Sequence, residues 1–289
     1  MKTFAIISIL LLWSIQAFSQ EQKDTSQVNL PPVTVTAYRE NQPVGEYKQP
    51  EWTTHRRFPT TRVYIQVQPG EAEFEQWVEV REEKTSAGGG KKARISQELE
   101  FGLGAHTQFD IYMNNIRYWD GQSSSFNSRG WAVELRYAFA DWNALPGNPT
   151  LYFEYSTFDA TNGDEDQGYD KIEPKLLLGG EMGNRWHWGV NIVTERGLAP
   201  ADYRDEEYVV NAAASYLAAD ELFSIGPAFQ YKYEIGRASG SPDWRTHWLL
   251  GPSIQYRPVK RAFLDVEPLF GITDQSRMLD MTMIFGWTF

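Results

Sequence analysis

The sequence predicts an all-β fold: a single transmembrane antiparallel up-and-down barrel of about 12 strands, with a disordered N-terminal periplasmic segment. Three observations predict it. From Leu279 to Phe289 the odd positions read Leu279, Met281, Met283, Phe285, Trp287 and Phe289, while the even positions are small or polar except Ile284. One face of that stretch suits hydrocarbon and the other tolerates water, and it supplies the strand that closes a cylinder against the first one. The chain opens on a secretory leader, and its middle is a succession of similarly alternating segments.

The leader spans residues 1–19. Lys2 gives the positive end, Phe4 to Trp13 the apolar stretch, and Ala17-Phe18-Ser19 a small-x-small cleavage site. An apolar run of about ten residues is too short to span a bilayer as a helix. No cysteine follows the cleavage site, which excludes a lipoprotein anchor, and the chain contains no cysteine at all. Its fold does not rely on disulfides. Mean hydropathy is -0.49, a value a barrel tolerates because half of each strand faces a polar interior. The 15% aromatic content fits the girdles of a membrane barrel. A net charge of -11 argues against a phosphate-backbone partner, so no nucleic acid is expected.

Residues 20–70 form the next region. As far as about Pro50 it is polar and Pro-rich without sustained period, which reads as an extended periplasmic segment. Thr61 to Gln68 predicts one further short strand, either periplasmic or tucked into the barrel mouth.

Residues 71–289 predict the barrel. Alternating segments run approximately over 73–84, 93–104, 106–117, 129–140, 150–160, 170–181, 184–196, 206–218, 221–236, 243–257, 261–272 and 276–289. Each is near the length a tilted strand needs to cross a bilayer. Connections rich in Gly, Ser and Asp, such as Asp120 to Arg129 and Asn162 to Tyr169, alternate with tight turns such as Gly104-Ala105, Met182-Gly183 and Ala219-Asp220. Long loops outside and short turns inside are the habit of outer-membrane barrels, and an even strand count leaves both chain ends in the periplasm. Pro174, Pro227, Pro252 and Pro268 fall inside strands, which predicts bulges or kinks there. A soluble sandwich would alternate too, but the strands are long and lack lysine edge protection.

The polar faces carry the candidate pore lining: Glu98, Glu100, Asp110, Glu134, Arg136, Glu154, Glu173, Lys175, His187, Lys232, Glu234, Arg245, His247, Arg257, Asp265, Glu267 and Asp280. Opposite signs often lie two apart on one strand, as in Glu134/Arg136 and Lys232/Glu234, so neighbouring strands are expected to pair acid with base across the wall. Two outcomes follow. The charges fill the barrel as a network, or they line a hydrated channel that selects solutes. Acids outnumber bases, which favours cations or neutral solutes over anions.

Catalysis is not expected. A hydrolase needs a nucleophile, a base and an orienting group within reach. The histidines are His55 in the tail, His106 beside a tight turn, and His187 and His247 on polar faces, none with a serine in a catalytic pattern. Asp164-Glu165-Asp166 lacks a calcium-loop closing pattern, and Gly88-Gly89-Gly90 lacks phosphate-loop spacing. No metal and no cofactor is expected.

Resemblances add to this reading. Met281 to Phe289 resembles the C-terminal assembly signal of Gram-negative outer-membrane proteins, with Phe285, Trp287 and Phe289 as its side chains. That implies outer-membrane lipid and the barrel-assembly machinery as partners, and the bacterial outer membrane as location. Ser96 to Leu103, followed by Gln108-Phe109-Asp110, is similar to the repeated hairpin of small barrels described as transporters, some linked to the meta-pathway of phenol degradation. The resemblance implies an outer-membrane, porin-like channel for small solutes, aromatic ones among them. Leu30-Pro31-Pro32-Val33-Thr34-Val35-Thr36-Ala37 resembles the motif opening TonB-dependent receptors, but the chain is too short for their plug and barrel of about 22 strands. Alternatives are a closed structural or docking barrel whose N-terminal tail binds a periplasmic partner, and, further down, an outer-membrane lipid hydrolase.

Overall fold

A computed structural model describes residues 38–84, 90–119, 124–157, 169–198, 206–235 and 244–289. The leader, the stretch 20–37 with its receptor-like motif, and the two loop motifs at 88–90 and 164–166 lie outside the described residues, Gly90 excepted. Twelve antiparallel strands close into one barrel. They are β3 (Ala72–Glu82), β4 (Lys91–Gly104), β5 (Thr107–Trp119), β6 (Ser124–Ala138), β7 (Thr150–Ser156) and β8 (Lys171–Met182). Then follow β9 (Trp186–Gly197), β10 (Glu206–Ala219), β11 (Phe223–Ile235), β12 (Trp244–Val259), β13 (Ala262–Gly271) and β14 (Leu279–Thr288). Each strand pairs with its neighbours in sequence, and β14 pairs with β3, Trp287 facing Phe74 and Thr282 facing Glu79. Closure leaves no free edge, which a bilayer interior demands of any sheet.

Alternation decides what faces lipid. On β14, Phe285 and Trp287 are exposed outward, while Thr282 and Asp280 are buried inward. Ile284, the apolar residue on the polar face, also points in and is fully buried. Met113, Leu135, Phe153, Ile192, Leu250 and Leu264 add to the exposed outer belt. A closed barrel with a hydrocarbon outer face and a charged interior is an outer-membrane structure.

Pro174, Pro227, Pro252 and Pro268 do not make bulges. Register shifts fall instead at Gly102/Gly104, Met113/Asn115, Leu217/Ala219 and Tyr256/Val259. Pro227 faces Pro252 across the ladder, so the missing donors coincide at one level and the register continues. The tight β4–β5 turn places Ala105 and His106 at φ 49 and 60. Two successive positive φ values are what a two-residue hairpin turn needs to match strand twist.

The expectation for residues 20–70 fails from Tyr38 onward. This segment is not an extended periplasmic tail; it folds into the barrel. It contains two short 3-10 turns, Arg39–Asn41 and Glu51–Thr53, and a two-residue ladder of β1 (Pro43–Val44) with β2 (Gln49–Pro50). Thr61 to Gln68 lies within the lumen without becoming a strand; only Pro69 bridges to Gly102 of β4. The cause is hydrophobic. Tyr47, Trp52, Phe58, Tyr64, Ile65 and Val67 are almost completely buried, and most of them pack with Trp142, Ala213, Ala228, Leu249 and Leu269 of the wall and a turn. Burying each such side chain contributes roughly 1.5–3 kcal/mol, which a polar tail has no means to match.

The segment enters and leaves at the tight-turn end. Near its start the Arg39 backbone N–H donates to Asp220 in the β10–β11 turn at 2.9 Å, and the Asn41 side chain donates to the Asn184 carbonyl in the β8–β9 turn. At its end the Gly70 N–H donates to the Gly102 carbonyl. Between them the chain climbs to Thr60, whose hydroxyl donates to Glu267 of β13 and whose carbonyl accepts from Asn211 of β10. Close approach to the wall depends on small residues there. A Cβ on Gly179 would sit 2.3 Å from Val63, and one on Gly189 would sit 2.9 Å from Thr61.

Candidate functional site: a plugged, acid-lined lumen

The lumen has two halves. The tight-turn half is filled by residues 38–68. The long-loop half holds a cavity of about 180 Å³. Its floor is Pro59, Thr60 and Arg62 of the plug; its walls include Trp77, Arg94, Tyr152, Glu173, Glu207 and Lys232.

Strand register makes the wall unusual. Glu73 faces Glu100, Glu100 faces Asp110, Asp110 faces Glu134, Glu134 faces Glu154, and Glu154 faces Glu173. The row resumes as Glu195, Glu207 and Glu234 on β9, β10 and β11. Glu75 faces Glu98 beside it. Directly opposite positions along this arc set acid against acid, and the expected cross-strand pairing of acid with base is met diagonally, as between Arg136 and Asp110 at 3.2 Å and between Lys232 and Glu207 at 2.5 Å. Like charges directly opposite destabilise a ladder, so their neutralisation must come from elsewhere.

It comes from two sources. In the long-loop half it is same-wall lysines: Lys175 lies 2.7 Å from Glu173, and Lys232 lies 2.5 Å from Glu207 and 3.0 Å from Glu234. In the tight-turn half it is chiefly the plug. The Arg56 guanidinium lies 2.6 Å from Glu75, 3.2 Å from Glu100 and 3.7 Å from Glu98, and stacks 4.4 Å above Trp77. Arg62 lies 3.1 Å from Glu98, 3.2 Å from Glu100 and 3.5 Å from Glu134, and donates to the Tyr112 hydroxyl at 2.7 Å. Arg136 of β6 adds contacts to Glu100, Asp110 and Glu134. Planar guanidinium forks suit carboxylates and aromatic faces at once. In the plug, burial first, then the Arg257 and Arg57 charges, hold the His55 imidazole well below its ordinary range.

The remaining candidates are distributed as follows. Arg257 reaches Glu40 of the plug at 3.1 Å. Glu267 accepts from Thr60, and Asp265, also fully buried, faces Gln255. Asp280 lies 3.5 Å from both Arg81 and Arg277. Glu154 accepts from the Tyr152 hydroxyl at 2.5 Å. His187 is sandwiched rather than water-lined: it stacks on Trp52 at 4.4 Å with 8° between planes, and contacts Asn41 at 2.8 Å. His247 lies 3.3 Å from Glu234. Arg245 lies exposed near the long-loop end of β12, on the same face as His247 and opposite Glu234. Of the terminal-strand aromatics, Phe285, Trp287 and Phe289 are all exposed on the outer face.

Sequence reasoning missed Trp52, Arg56, Arg57 and Arg62. The signal was present: a run of aromatics and arginines in a supposed tail, beside a wall with more acids than bases. Tyr47 and His106 show how the turn end is tied to the plug. Their rings stack at 4.2 Å, and His106 contacts Asp141 at 2.9 Å, which holds that carboxyl below its usual range.

Comparison with solved structures agrees with this architecture. The outer-membrane channel of the COG4313 type from Pseudomonas putida F1 matches with a TM-score of 0.59 at 10% identity, over 78% of this chain and 98% of that one. The fold is that of an outer-membrane β-barrel. The NanC porin covers 75% of this chain and 98% of its own at 12% identity and TM-score 0.45, and the β domain of the Bordetella autotransporter BrkA covers 76% and 100% at 12% identity and TM-score 0.48. No family model matches the chain, and no curated protein sequence matches it.

Proposed function

We propose that this protein is an outer-membrane channel for small solutes, held closed by its own residues 38–68. The observation that carries the reading is the kind of contact the plug makes. It adds no strand to the barrel; ion pairs, hydrogen bonds and one aromatic cluster hold it. Water and solute can replace such contacts without opening a single barrel ladder. Behind the plug lies a wall of carboxylates, and the cavity above it is a solute-sized vestibule with charged walls.

The cysteine-free chain allows a direct test. Gly189 approaches Thr61 closely enough for a disulfide between Thr61→Cys and Gly189→Cys, since a Cβ on 189 would lie 2.9 Å from the Thr61 methyl carbon, near where the sulfur would sit. In planar bilayers the oxidised double variant is expected to give no conductance steps, and reduction should restore them. Equal conductance in both states would refute the plug as a gate. Absence of steps from wild type and reduced variant alike would refute the channel.

A further inference from the structure

We infer that the acid row is the channel's solute site, that it accepts guanidinium- or ammonium-bearing small molecules, and that Arg56 and Arg62 occupy it as a tethered stand-in for such a solute. This rests on the channel reading above and names its substrate class.

Charge balance carries the first step. In the tight-turn half, Glu73, Glu75, Glu98, Glu100, Asp110 and Glu134 are each 0 or 1% exposed. Three guanidiniums meet five of those six carboxylates, Glu73 being held by Gln66 and Thr288 instead, and only Arg136 of the three belongs to the wall. When the plug withdraws, the wall keeps its acids and loses two of the three cations facing them. Once water enters, a wall of carboxylates short of two cations attracts cations in preference to anions.

Geometry carries the second step. Arg56 and Arg62 are held as a ligand would be, by several carboxylates each and by aromatic faces. Trp77 lies under both guanidiniums, at 4.4 and 5.6 Å, and the Tyr152 ring lies 5.7 Å from Arg62. Carboxylates combined with aromatic faces select planar or alkylated cations over hydrated metal ions. The seat is also not saturated. Nη1 of Arg56 and Nη1 of Arg136 are buried without a hydrogen-bond partner among the described residues. A seat shaped only for Arg56 would satisfy its Nη1, and the wall's own Arg136 Nη1 is left to receive a further acceptor.

Continuity carries the third. Glu154, Glu173, Glu195 and Glu207 line the cavity in the long-loop half, and Glu134 beneath the plug faces Glu154 directly. Because the row crosses successive tilted strands, it climbs from β3 near the tight turns towards β11 near the long loops. A cation entering the vestibule meets carboxylates at each step down to the seat that Arg62 fills.

The test uses the full chain carrying Arg56→Ala and Arg62→Ala, reconstituted in liposomes, with swelling rates in L-arginine, sodium glutamate and a neutral pentose. Heat-dependent gel mobility checks that the barrel has closed. Arginine entry at least about ten-fold faster than glutamate entry is expected, and adding Glu98→Gln and Glu100→Gln should abolish that preference. Equal rates for all three solutes, or faster glutamate, would overturn the inference while leaving the channel standing. No entry of any solute would overturn the channel and the inference with it. A measurement on the unaltered chain guards against a variant that misfolds: millimolar L-arginine, and not glutamate, should raise the open probability of wild type in planar bilayers by displacing the tethered arginines. No difference between the two would overturn the inference.

Discussion

Replacing Trp52 by alanine should release the plug and spare the barrel. Trp52 is fully buried, stacks on His187, meets Trp142 edge-on at 5.7 Å, and donates its indole N–H to Glu181 at 3.1 Å. Truncating a buried tryptophan costs about 3–5 kcal/mol in lost transfer energy and cavity. None of that cost falls on the strand ladders, so it falls on the equilibrium between docked and withdrawn plug. At about 1.4 kcal/mol per factor of ten, the docked-to-withdrawn ratio should fall by roughly two to three and a half powers of ten. Single-channel open probability reads that ratio, and the rate of proteolytic cleavage within residues 38–68 reads it independently. Trp52→Phe keeps most of the stacking and loses one hydrogen bond worth about 0.5–1.5 kcal/mol, so it should move both readouts by roughly one power of ten or less. A folded Trp52→Ala barrel with unchanged open probability and unchanged cleavage would refute the reasoning. So would loss of the barrel's heat-resistant mobility with the plug still protected.

Three further outcomes are expected. Gly179→Val forces a side chain into space that Val63 already fills, since a Cβ at 179 would lie only 2.3 Å from the Val63 methyl carbon; proteolysis of residues 38–68 should accelerate in a barrel of unchanged mobility. Removing the guanidinium with Arg136→Met leaves Glu100, Asp110 and Glu134 facing one another without it, and urea unfolding should show a loss of about 3–5 kcal/mol. Plug docking should weaken in acid through His55, whose folded value is depressed by burial and by Arg257 and Arg57. Its contribution is complete above the free-histidine value of about 6.5 and is lost as pH falls below that, by up to about ten-fold per pH unit. Open probability measured from about pH 7.5 to about pH 5 should rise, and His55→Asn should flatten the part of the profile that begins near 6.5; an unchanged profile in that variant would exclude His55.

Much of the barrel is legible because its pattern has period two. β11 shows this well: Phe223, Ile225 and Phe229 share one face and Ser224, Ala228 and Lys232 the other, and the latter set is buried inward. Register is less legible. A slip of two residues keeps every side chain on its proper face, so alternation alone cannot say that Asp110 meets Glu134 rather than Arg136. The expected cross-strand ion pairs form, but diagonally, as Arg136 reaches Asp110 at 3.2 Å, while the position directly opposite Asp110 holds Glu134. The plug was hidden for a different reason. Residues 38–60 have no period of their own, and the alternation of Thr61 to Gln68 reads as a strand although it packs as irregular chain against a curved wall. Only their composition betrays them: Trp52, Phe58, Tyr64 and Ile65 need burial, and Arg56 and Arg62 match the acid surplus of strands well separated from them in sequence.

The plug's two ends lie at the same rim, beside the tight turns, and this gives the molecule a direction. The seam between β14 and β3 can stay shut, as with a cork. Both ends of the segment are reached from the tight-turn rim. Its tip at Thr60 is reached from the opposite mouth. A solute at the long-loop mouth meets the tip at Thr60, whereas a force at the tight-turn rim meets the two ends, so the two routes of unseating are mechanically independent.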